Sequence, residues 1–112
     1  MKTTQLKPIM DLFGEIFKQE NNETIKFYLY ETCDYDGKEF NPTGHMFYSF
    51  DRVDENVLKK ITEPGQAVYI DRIKIPLYTL RKIIDDSMYH KTKLFLEIID
   101  HLDERELWIN NN

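Results

Sequence analysis

The sequence predicts an α+β domain in which a small antiparallel or mixed sheet of about three strands carries helices packed on one face, in the order αββαβαα. Three observations predict it. Apolar residues recur at three- and four-residue spacing over 6–17, 53–61 and 77–102, they alternate with polar ones over 25–32, and β-branched residues crowd 67–75. No repeat, low-complexity stretch or Gly/Ser-rich linker divides the 112 residues, so 1–112 is read as a single globular domain with frayed polar ends at about 1–5 and 110–112.

Over 6–17, Leu6, Ile9, Met10, Phe13, Ile16 and Phe17 line one helical face, with Pro8 suited to a first turn where its missing N–H does no harm. Gly14 weakens that helix by up to about 1 kcal/mol relative to alanine, so tertiary packing must hold it. The polar run 19–23 ends it.

In the next strand Ile25, Phe27 and Leu29 point to one side and Lys26, Tyr28 and Tyr30 to the other. Asp36-Gly37 signals a tight turn, and Asn41-Pro42-Thr43-Gly44 reads as a second turn before a strand over 45–50. Asp51 or Asp54 can cap a short helix bearing Val53, Val57, Leu58 and Ile61, which Glu63-Pro64-Gly65 stops. The strand over 67–75 ends at Pro76, which opens a helix with Leu77, Leu80, Ile83 and Ile84. Beyond it, two helices with a bend around 85–92 are preferred to one long helix or to a final hairpin of 93–99 with 106–109.

Residues 25–50 hold eight of the fourteen Phe and Tyr residues, so this hairpin is the natural organiser of a core or an interface. A net charge of −5 opposes general binding to phosphate backbones, although six cationic and three anionic side chains make 67–93 locally basic. One cysteine, Cys33, excludes an internal disulfide, and no run approaches the roughly 20 apolar residues of a membrane span. Without a signal-peptide pattern in the first thirty residues, the expected setting is reducing and cytoplasmic.

Motif chemistry is sparse. Asp34-x-Asp36-Gly37-x-Glu39 has its glycine too early for a calcium loop. Cys33, His45, His90 and His101 lack paired zinc spacing, and the four scattered glycines build no phosphate loop. No metal or cofactor is expected.

The leading expectation is a small binding or regulatory protein, in the manner of an inhibitory factor from a mobile element, that acts through contact with another protein. Its surface would be the outward hairpin face and the acidic loop beside it: Tyr28, Tyr30, Asp34, Tyr35, Asp36, Glu39, His45 and Phe47. The competing structural role for those aromatics is a second core layer under helices. An alternative is a nucleic-acid-associated regulator using 72–93, and a third is a small enzyme using Cys33 or a carboxylate–histidine pair. Self-association is left open.

Overall fold

The computed structural model describes residues 6–18 and 23–111; the ends 1–5 and 112, and residues 19–22 of the polar run after the first helix, lie outside them. The strands are β1 (Lys7–Pro8), β2 (Thr24–Tyr35), β3 (Phe40–Ser49), β4 (Ala67–Pro76) and β5 (Leu102–Ile109). The helices are α1 (Leu12–Phe17), α2 (Glu55–Lys60), α3 (Leu77–Asp86) and α4 (Lys91–Ile99). All strand pairs are antiparallel, in the spatial order β1-β3-β2-β4-β5. The α+β class holds, while the expected three strands become five among the described residues.

Strand β2 is the centre, paired along its length with β4 and over most of it with β3. Its alternation separates two cores. On the inner face Phe27 and Leu29 pack with Met46, Tyr48, Ile73 and Ile75 against Ile9, Leu12, Ile16, Leu77, Leu80, Ile84, Leu94 and Ile98. On the outer face Tyr30, Val68 and Ile70 pack against Val53, which precedes α2, and Leu58 within it. Helices therefore cover both faces, which corrects the expectation of one.

Local chemistry explains most boundaries. Asp54 caps α2 by accepting from the Val57 N–H at 3.2 Å, and Lys59 and Lys60 sit in its last turn, where the carbonyl end of the helix dipole favours cations. His90 caps α4 by accepting from the Lys93 N–H at 3.0 Å. Between α3 and α4 the chain breaks at 87–90, with Tyr89 at φ 67, so the two-helix reading of 77–102 holds as far as Ile99, while Leu102 already opens β5.

Three details differ from expectation. Pro8 has ψ 143 and pairs with Phe47 as a short edge strand, so the helix over 6–17 begins only after a 3-10 turn at Ile9–Asp11. Proline constrains φ but tolerates extended ψ, and its missing N–H costs little at a sheet edge. The second turn at 41–44 instead lies inside β3 as a bulge: Glu31 pairs with Met46 and Cys33 with Pro42, so Thr32 faces residues 43–45. Gly44 supplies the φ of +91, and the hydroxyls of Thr32 and Thr43 hydrogen-bond across the bulge. Finally, β5 forms the sheet edge opposite β1. Its end is pinned, because Asn110 is buried and its side chain donates to Thr62 Oγ1 at 3.0 Å.

Candidate functional site

The outer sheet face divides near Tyr30. Past that residue α2 closes it; before it Tyr28 packs half-buried against the edge of that core, and Lys26 of β2 and Arg72 and Lys74 of β4 are exposed, with Tyr28 opposite Arg72 and Lys26 opposite Lys74 across the pair. Phe50, Asp51 and Arg52, which lead from β3 toward α2, wall one side, and Asp103 of β5 walls the other. The result is a cleft of about 430 Å³. Half-buried Tyr28 lies in it, with its ring 6.4 Å from the ring of Tyr30.

Four cations and two aspartates line the cleft, a local inversion of the chain's net charge of −5. The arginines are engaged. Arg72 reaches Asp103 at 2.8 Å and Glu104 at 3.0 Å, and Arg52 reaches Glu106 at 2.7 Å, its hydrogen bond to that carboxylate raising its pKa against the opposing effect of burial. The lysines are not: among the described residues neither ammonium pairs with a carboxylate. Like charges directly opposite on a sheet are destabilising, by up to roughly 1 kcal/mol relative to a neutral pair, so this pairing opposes folding.

The eight residues expected to form one surface do not share one. Tyr28 lines the cleft. Tyr30 is 0% exposed, its phenol hydrogen-bonded to Ser49 and the Val53 N–H at 3.1 Å, and half-buried Phe47 packs in the same core. These two belong to a second core layer under α2. Asp36 is spent on its own turn, accepting from the Lys38 and Glu39 N–H groups at 2.9 Å and from Asn41, and those bonds lower its pKa. Asp34 accepts from Gln66 at 2.6 Å, and Glu39 and His45 are exposed. Tyr35, 53% exposed, stacks on Phe40 at 4.7 Å and, by alternation, faces the opposite side from Tyr28. Of the other lining residues, Arg72 and Lys74 were expected only as part of the alternative basic segment, and Lys26, Phe50 and Arg52 were not among the eight; the available signal was the outward alternation of Lys26 with Tyr28 and of Arg72 with Lys74.

The basic segment 72–93 does not make a contiguous patch. Arg72 and Lys74 stand on the outer face, while Lys91 donates to the Gly44 carbonyl at 2.7 Å and Lys93 to the Asp86 carbonyl at 3.3 Å beside the helix layer. Cys33 is fully buried, donates its thiol to the Glu31 carbonyl at 3.6 Å, and has its pKa pushed up to about 11, chiefly by burial; such a thiol is not an activated nucleophile.

One further polar cluster lies within the inner face. Asp71, fully buried, is gripped by Arg105 through Nε at 2.6 Å and Nη2 at 3.0 Å, with the guanidinium 4.8 Å over the Tyr69 ring. Glu31 lies nearby with its pKa raised, first by burial and then by the charge of Asp71. The folded state therefore binds the Glu31 proton more tightly than the unfolded chain. Its stabilising contribution is complete below the ordinary glutamate range and is lost as pH rises through the raised pKa. Glu31→Gln should accordingly raise Tm at pH 7 and leave it nearly unchanged at pH 4; equal shifts at both pH values would refute this assignment.

No protein-family model, curated protein or solved structure matches the chain. No helix among the described residues is long and apolar enough to cross a membrane.

Proposed function

We propose that this protein is a small binding module that grips another protein through the open half of its outer sheet face, with Tyr28 as the central anchor. The observation that carries the reading is the position of Tyr28, half-buried in a cleft of about 430 Å³, beside a stretch of this face that no helix among the described residues covers. Aromatic rings in such settings supply contact area at low conformational cost, and they are enriched among the few residues that dominate binding energy. Arg52 and Arg72, held by carboxylates on β5, form a fixed rim around it. The wider groove beside Tyr35 and Phe40 offers no comparable set of charged walls.

The reading predicts that Tyr28→Ala keeps the fold and loses the partner. A tagged chain should retain a protein from lysate at moderate salt; the purified pair should then show binding weakened by at least about 30-fold in Tyr28→Ala, equivalent to a hot spot of about 2 kcal/mol. Unchanged affinity in a variant with a native circular dichroism spectrum would remove Tyr28 from the contact surface.

A further inference from the structure

We infer that the segment this cleft accepts is a stretch of polypeptide carrying carboxylates at its centre and cations on its flanks. The inference rests on the contact-surface reading above and names the chemistry of the partner. Lys26 and Lys74 stand directly opposite each other on the two central strands, both exposed and, among the described residues, both without a carboxylate partner. A sheet position that sets two ammonium groups side by side is satisfied when an anion enters between them. The two arginines contribute little free charge, because Arg72 is shared by Asp103 and Glu104 and Arg52 is held by Glu106.

The border has the opposite sign. Asp51 and Asp103 line the cleft and Glu104 and Glu106 lie just beyond it, so that four carboxylates against the two arginines Arg52 and Arg72 leave the border with an excess of two negative charges. A nucleic-acid strand presents phosphate after phosphate and has no cation to offer this acidic border. A peptide can alternate its charges. Carboxylates between Lys26 and Lys74, an apolar side chain on the Tyr28 ring and flanking lysines or arginines toward Asp51 and Asp103 complement every feature of the site. Complementarity of this kind fixes register and rejects wrong partners.

The test uses the purified full chain and three labelled probes read by fluorescence anisotropy at low ionic strength. These are the peptide Lys-Ser-Glu-Leu-Glu-Ser-Lys, its charge-reversed counterpart Glu-Ser-Lys-Leu-Lys-Ser-Glu, and an oligothymidylate. The acidic-centred peptide should bind best, and added salt should weaken it about tenfold or more, as screening of exposed charges requires. The double variant Lys26→Glu/Lys74→Glu should exchange the preference and favour the reversed peptide. Lys26→Glu alone should weaken the acidic-centred peptide while raising Tm, since it turns a like-charge pair into an attractive one.

Tighter binding of the oligothymidylate, no binding of the acidic-centred peptide, or an unchanged preference in the double variant would each overturn the inference. Its failure is separable from that of the contact surface. A natural partner lost by Tyr28→Ala but kept by the lysine double variant removes the charge assignment alone; a partner kept by both variants removes the surface itself. Concentration-dependent self-association abolished by the lysine double variant would place a second copy of the chain in the cleft, overturning a separate partner.

Discussion

Tyr30→Ala is expected to destabilise the protein by about 3–5 kcal/mol, the range for truncating a fully buried large aromatic side chain, and so to consume much of a small domain's stability. Tyr30 is 0% exposed on the central strand, and Val53, Leu58, Val68 and Ile70 pack around it. Its hydroxyl also organises the turn into α2. The Val53 N–H donates to it at 3.1 Å and Ser49 Oγ lies 3.1 Å away; because the single Ser49 hydrogen points to the Asp51 carbonyl, the phenol donates to Ser49. Tyr30→Phe should then cost about 1–3 kcal/mol by leaving the buried Val53 N–H without its acceptor. Urea unfolding of both variants beside Tyr28→Ala checks the assignment. If Tyr30→Ala and Tyr28→Ala shift the midpoint equally, the division of this face into a closed core and an open cleft is wrong.

That pair of tyrosines shows where the sequence was legible and where it was not. Alternation over 25–32 correctly placed Tyr28 and Tyr30 on the face opposite Phe27 and Leu29. It could not say that the core beneath α2, a helix only six residues long, buries one tyrosine fully and leaves the other half-buried at its edge. Val57, Leu58 and Ile61 identify an apolar helical side, but nothing in their spacing selects the sheet face on which it docks. For β5 the difficulty was different. In Leu102–Ile109 the middle positions Asp103, Glu104, Arg105 and Glu106 are all charged, so no period-two alternation survives. An edge strand has little reason to keep one, and charge along it discourages pairing with other chains. Pro42 and Gly44, which usually mark a turn, here serve a bulge, where the same backbone freedom is needed inside a strand. The cationic cleft was obscured because its charges come from β2, β4 and the segment after β3, and a register joins them that only the folded sheet defines.

Removing Arg105 is expected to cost about 3 kcal/mol, far more than its position on a charged edge strand suggests. The reason is Asp71. Its side chain is 0% exposed while that of Arg105 is 40% exposed, so the two partners are unequally dependent on each other. Arg105→Met leaves a buried carboxylate without its fork of hydrogen bonds; loss of one partner of a buried pair costs about 3–5 kcal/mol, and water reaching the gap places this case at the lower end. Asp71→Leu leaves only a half-exposed guanidinium that can turn to solvent, and Leu29 lies opposite the new side chain on the inner face. The double variant Asp71→Leu/Arg105→Met should therefore recover most of the loss, because replacing a buried ion pair with apolar groups of similar size is often neutral or stabilising. Glu31 supplies an independent check. Arg105 is the cation that lowers its pKa against burial and the charge of Asp71, so Arg105→Met should raise that pKa further. With the proton held more tightly, the folded state loses more stability between acid and neutral pH, and the deficit of Arg105→Met should be larger at pH 7 than at pH 4. A double-mutant cycle by urea unfolding at the two pH values measures both quantities. Additive single and double variants, or a deficit independent of pH, would show that Asp71, Arg105 and Glu31 do not act as one buried electrostatic unit.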